Sequence, residues 1–175
     1  VYRAVTLHLL ESFDAIPENI SGADLVSGLS ITQEFSAGSS RTFLNGDDVS
    51  LRIRDERIVR HIGRVSDNPS IRGMVNGFLR QWAENEPVIM DGRDIGTVVF
   101  PDAEVKIYLD ASVDVRAERR CHEYAEAGKT VDFNEIKKQI SIRDEQDRKR
   151  PVGALRQAAD AVYLDTSGLS KSAVL

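Results

Sequence analysis

The chain has 175 residues, 41% of them hydrophobic, with a formal charge of -5 and a single cysteine. That length and apolar fraction suffice for one domain with a substantial core, whereas the acidic balance offers no basic face for nucleic-acid polymers or membrane surfaces. One cysteine, Cys121, excludes an internal disulfide framework, and His8, His61 and His122 are too scattered for a zinc site. A reducing, cytoplasmic compartment is expected, and no apolar run reaches membrane-span length.

Val1, Ala4, Val5, Leu7 and Leu9 read as a helix that starts without a cap and stops before the breaker Pro17. Ser21 and Gly22 loosen the chain. Leu29, Ile31 and Phe35 then alternate with polar residues, and Arg41 to Leu44 runs into Asn45-Gly46, so an antiparallel excursion is expected between about 22 and 50. A helix from about Asp55 carries Ile58, Val59, Ile62 and Val65; Asn68 and Pro69 start another, with Val75, Phe78, Leu79 and Trp82 as its apolar face. Arg72 borders that face, as a snorkelling surface arginine or as a ligand contact.

Val88, Ile89 and Met90 read as a short strand buried on both faces that stops abruptly in Asp91, Gly92, Arg93 and Asp94. Val105 to Leu109 reads as a second strand ending in Asp110. Charges at the carboxyl ends of strands are either turns with surface ion pairs or a site, because ligands of open parallel sheets bind there. Ser112 caps a helix to about Ala127, with Arg116, Arg119 and Arg120 on its exposed side. Arg119 can pair with Glu123, so a solvated face competes with an anion site. Gly128-Lys129-Thr130 imitates the end of a phosphate-binding loop, but a helix precedes it and position 123 is glutamate, so Gly128 reads as a helix C-terminal glycine.

Asp132 with Glu135 opens a long helix that Pro151 ends. Ile136, Ile140, Arg143, Asp147 and Arg150 lie along one stripe, while Asp144 with Arg148 and Glu145 with Lys149 make exposed pairs. Inward arginines need an anion; the alternative is a helix that simply leaves the core at Arg143. Ala161 to Leu164 reads as a last strand ending in Asp165, and Ser170 as the cap of a final helix cut at Leu175. Both ends thus read as cut, and the chain as a fragment of a longer protein. Strands alternating with helices give a parallel α/β sheet, and arginines converging at its edge suit a phosphorylated small molecule.

DGRDIGTVVFPDAEVKIYLDAS (91–112), RDEQDRKRP (143–151) and the opening VYRAV resemble bacterial cytidylate kinases, over most of the chain and least between about 20 and 66. The resemblance implies a P-loop nucleoside-monophosphate-kinase fold, a parallel sheet flanked by helices, here lacking the first strand and the P-loop that binds ATP. It implies one kinase domain over 1–175, with a nucleoside-monophosphate-binding insert at 21–66 and a lid at 119–147. The implied reaction moves the terminal phosphate of ATP, with Mg2+, onto CMP or dCMP. Implied roles put Arg3, Arg93 and Arg150 on the acceptor phosphate, Arg72 and Asp94 on the cytosine, Arg143 and Asp147 near the sugar, and Arg119 and Arg120 on the ATP phosphates, so that Arg93, Arg150, Arg119 and Arg120 are the candidate catalytic groups. A carboxylate suits the cytosine amino group and repels the carbonyl oxygen of uracil, making Asp94 the candidate selector. Gly63 stands where the family commonly has serine, and Ser66 is the candidate substitute. No metal-ligand set, membrane or polymer partner is expected, and the chain reads as a monomer. Alternatives are a kinase of UMP or AMP and a nucleotide-binding fragment without turnover.

Overall fold

A computed structural model describes residues 1–13, 15–17, 20–21, 28–36, 39–85 and 87–174. Parts of the expected 22–50 excursion, residues 22–27 and 37–38, and the terminal Leu175 lie outside the described residues. The chain divides into two compact units, Val1–Val88 and Ile89–Leu175.

The first unit is built around helix α1 (Tyr2–Ser12), in which Ala4, Val5, Thr6, Leu7 and Leu9 are all buried. Burial of consecutive residues means the helix is covered on more than one side, as its nearly continuous apolar sequence requires. Thr6 meets the cost of burial by donating its hydroxyl to Tyr2 O at 2.8 Å. Strands β1 (Ile31–Ser36), β2 (Ser39–Leu44) and β3 (Asp47–Asp48) form an antiparallel sheet. Leu44 pairs with Asp47 across Asn45-Gly46, whose φ values of 52° and 91° are those of a primed two-residue turn. Helix α2 (Glu56–Asp67) is capped by Asp55, which accepts from Arg57 N, and α3 (Pro69–Asn85) follows Asn68, whose Oδ1 accepts from Ser70 N at 2.9 Å and Ile71 N at 3.1 Å. The two caps stand where the sequence signs them. Ile58, Val65, Ile71 and Val75 from these helices join Val5, Leu9 and Val49 in the core.

The second unit holds two parallel strands, β4 (Ile107–Asp110) and β5 (Val162–Asp165), registered Ile107 to Val162 and Asp110 to Asp165. Between them run α4 (Val113–Glu126), capped by Ser112, and α5 (Phe133–Lys149), capped by Asp132; α6 (Lys171–Val174) follows β5. The positive φ of Gly128, 72°, ends α4 as expected of a C-terminal glycine.

The strand expected at 88–90 is not one. Residues 87–92 carry no regular structure, and Val88 and Ile89 are exposed. A short apolar run becomes a doubly buried strand only between two paired neighbours. Among the described residues the sheet here is two strands wide, with Ile107, Leu109, Val162 and Tyr163 also exposed. Arg93 and Asp94 instead lead into a π-helical turn, Ile95–Val99. No helix among the described residues is long and apolar enough to cross a membrane.

Gly63 lies inside α2, and a Cβ there would meet nothing within 4 Å. Gly63→Ala should therefore raise stability by about 0.5–1 kcal/mol through backbone entropy alone, read as a higher urea midpoint with unchanged slope.

Candidate functional site

The inward face of α5 is set by spacing. Ile136 is buried, and Ile140, Asp144, Asp147 and Arg150 follow at intervals of four, four, three and three along the half-buried side. Two expectations are corrected here. Arg143, read as inward, is 77% exposed in its side chain. Asp144, read as an exposed partner of Arg148, instead holds Arg116 through a fork, Nη1 to Oδ1 at 2.9 Å and Nη2 to Oδ2 at 2.6 Å. Following the apolar residues by fours leads to position 144, and the stripe drifts one residue at its end because 3.6 residues make a turn.

Asp147, 16% exposed, is the point where the arginines meet. Its Oδ1 accepts from Arg93 Nη1 and lies 3.3 Å from Arg150 Nε. Its Oδ2 lies 4.0 Å from Arg143 Nε. Arg93, Arg143 and Arg150 thus gather on one carboxylate despite a sequence separation of 50 residues or more between Arg93 and the others. Burial and the neighbouring Arg150 push the Arg93 guanidinium below its ordinary pKa, while Asp147 pulls the other way. Arginine stays charged nonetheless. The cluster therefore carries more positive charge than its carboxylate neutralises, the electrostatic condition for binding a dianion.

Arg93 and Asp94 stand at the entrance to the π-helical turn. Gly92 precedes them because a Cβ there would stand 2.8 Å from Ile95 Cγ1. Asp94 is 7% exposed, and its carbonyl accepts from Val98 N at 2.9 Å and Val99 N at 3.2 Å, closing the π-helical turn.

A second feature of the same unit is a cavity of about 720 Å3 at the carboxyl end of β4, walled by Arg116, Arg119, Asp144, Arg148, Thr166 and Leu169 among others. Arg119 is exposed, as expected, but does not pair with Glu123: Nη2 donates to Thr166 O at 2.6 Å and Leu169 O at 3.2 Å, and Nη1 to Thr166 Oγ1 at 3.2 Å. Glu123 is taken by Arg120 at 2.8 Å, whose guanidinium lies 4.9 Å from the centre of the Tyr124 ring. Arg119 and Arg120, adjacent in sequence, point about 100° apart around the helix, which separates them into a wall residue and a surface residue. Thr166 escaped the sequence reading; it is buried and donates its hydroxyl to Asp110 O at 2.9 Å.

In the first unit, Arg72 is 4% exposed, which excludes the snorkelling alternative. Its Nη1 donates to Ser66 O at 2.9 Å, and its guanidinium stands 5.6 Å from the centre of the Tyr2 ring. Arg3 is exposed and donates to Ile53 O at 3.1 Å. The Ser66 hydroxyl donates back to Gly63 O at 3.2 Å. Asn76, one turn beyond Arg72 and unanticipated, is buried with its Oδ1 unmatched among the described residues. An amide interrupting the stripe of Ile71, Val75 and Phe78 was the signal available for it.

A family model described as cytidylate kinase matches residues 1–175. The chain is similar to the cytidylate kinase of Lactobacillus gasseri, 41% identical over 97% of this chain and 74% of that protein. It is also similar to those of a Geobacillus species, 39% identical over 97% of this chain and 76% of the relative, and of Magnetococcus marinus, 39% identical over 98% and 76%.

Asp147→Ala should lower stability by about 1.5–3 kcal/mol, the range for hydrogen bonds to charged groups, since it leaves like charges facing one another; chemical denaturation measures it. Arg116 holds the Asp144 carboxyl below the usual carboxylate range. With the folded value below the unfolded one of about 3.9, the pair stabilises fully above that pH and its contribution is lost as pH falls through the folded value. Urea midpoints between about pH 5 and 2 should therefore fall less steeply in Asp144→Asn than in wild type.

Proposed function

Because this chain belongs to the cytidylate kinase family, we propose that it transfers the terminal phosphate of ATP to CMP or dCMP, giving ADP and CDP or dCDP. The observation that carries this reading is the gathering of Arg93, Arg143 and Arg150 on Asp147. Phosphoryl transfer leaves little covalent work to the protein, so positioning and charge stabilisation are what a catalyst must supply. Guanidinium groups already held by a carboxylate need little reorganisation when a phosphate dianion arrives.

Arg93 and Arg150 grip the acceptor phosphate, with Arg143 and Asp147 toward the sugar. Asp94 accepts from the exocyclic amino group of cytosine, and its carboxylate repels the oxygen that uracil carries there. In the first unit, Arg72 donates to the base and Arg3 to the phosphate; the buried, ordered state of Arg72 suits a recognition role. The cavity bounded by Arg119 and Thr166 takes the donor, its volume being that of a nucleotide-sized site. Arg119 serves ATP directly from the wall, and Arg120 joins it by leaving Glu123. Water excluded from the closed site cannot compete for the phosphoryl group. The cation that accompanies ATP is taken to be Mg2+, which asks of a protein only one or two carboxylates because phosphate oxygens and water complete its shell; no larger ligand cluster forms among the described residues. When bound, it neutralises charge on the transferring phosphates.

Acceptor preference in the full-length protein tests the reading: CMP and dCMP should exceed UMP and AMP in kcat/KM, and an enzyme that phosphorylates AMP best would refute it. Asp94→Asn should cut the preference for CMP over UMP by about 10- to 100-fold, the worth of one good base-edge contact. Arg93→Ala should lower kcat with CMP by about 100- to 1000-fold.

A further inference from the structure

The last half of α5 carries the residues of the arginine cluster, yet the only buried apolar side chain on the helix is Ile136, in its first turn. Apolar packing thins out toward the half that carries the cluster, where Ile140 is only half-buried. What holds it there is mainly polar, including the bond from Leu155 N to Asp147 O at 2.9 Å. Arg116 on α4 grips Asp144 by both guanidinium nitrogens, and its Nε donates to Ala111 O at the end of β4 at 2.9 Å. A single planar group thus ties β4, α4 and α5 together, and the five-donor fork fixes distance and orientation at once. Asp144 lies three residues before Asp147 and six before Arg150, so all three share a face.

We propose that Arg116 and Asp144 are positioning residues for the acceptor site: their bond sets the azimuth of α5 and so brings Asp147 and Arg150 to Arg93. The pair touches no acceptor atom and works through the helix. Both side chains are partly shielded, with exposures of 32% and 16%, which separates this bond from the solvent-facing pair Glu145–Lys149 within α5 and from the more exposed Lys137–Asp114 pair that also joins α5 to α4. The proposal rests on the kinase reading for the identity of the acceptor, and on the geometry alone for the mechanical role.

The test is a double-mutant cycle with Arg116→Met, Asp144→Asn and the double variant in the full-length protein. CMP affinity is measured by calorimetry without ATP, so that changes in the donor cavity do not enter, and melting temperature is followed in parallel. Each single variant should bind CMP about tenfold more weakly, with the double variant no weaker than either, the signature of one shared interaction. Arg116→Lys, which keeps the charge and loses the fork, should fall between. Amide exchange over residues 143–150 should quicken in both single variants while that of 113–126 stays as in wild type. Additive losses, unchanged CMP affinity, or losses accounted for by the unfolded fraction would overturn the proposal, as would unchanged exchange over 143–150. A wild-type protein that binds AMP or UMP in place of CMP defeats the assigned reaction only; the same cycle run on that nucleotide then decides the role of the pair.

Discussion

Three guanidinium groups drawn to one shielded carboxylate is the constraint on which the second unit depends. Arg93, Arg143 and Arg150 repel one another, and a single Asp147 cannot neutralise them. Such an arrangement persists only where the surrounding structure over-determines it. Here the over-determination is visible: a glycine with no room for a side chain, a π-helical turn closed on the Asp94 carbonyl, and a helix face braced from α4.

Much of this could be read from residue order. The caps Asp55, Asn68, Ser112 and Asp132, the Asn45-Gly46 turn and the glycine ending α4 act through contacts with chain neighbours, so local sequence determines them. The inward placement of Asp147 and Arg150 was likewise legible, because helical periodicity is geometric, although Arg143 of the same stripe turns outward. Three other features escaped. The run 88–90 is apolar enough for a buried strand, but burial is conferred by neighbouring strands, which lie elsewhere in the chain. Whether position 143 or 144 faces inward turns on a rotation of about 100° that an apolar stripe fading into charges leaves undetermined. Arg116, Arg119 and Arg120 look alike in sequence and differ only in what faces them: Asp144, the Thr166 peptide and Glu123.

The resemblance carried by 91–112 and 143–151 reaches further than the physical reading, which stops at a phosphorylated small molecule. The two meet at Arg93, Arg143 and Arg150, which the resemblance implies as site residues and which gather on Asp147. They also divide the labour: likeness identifies the reaction, and geometry shows Arg93 half-buried against Asp147 while Arg143 stays exposed.

Helix α5 presents Asp144 to the cavity and Asp147 to the arginines within a single turn. On the proposed reading, a change in the tilt of this helix would reach both nucleotides at once, so retuning the grip on one alone would begin off the helix, at 93–94 for the acceptor or at 119 and 166 for the donor.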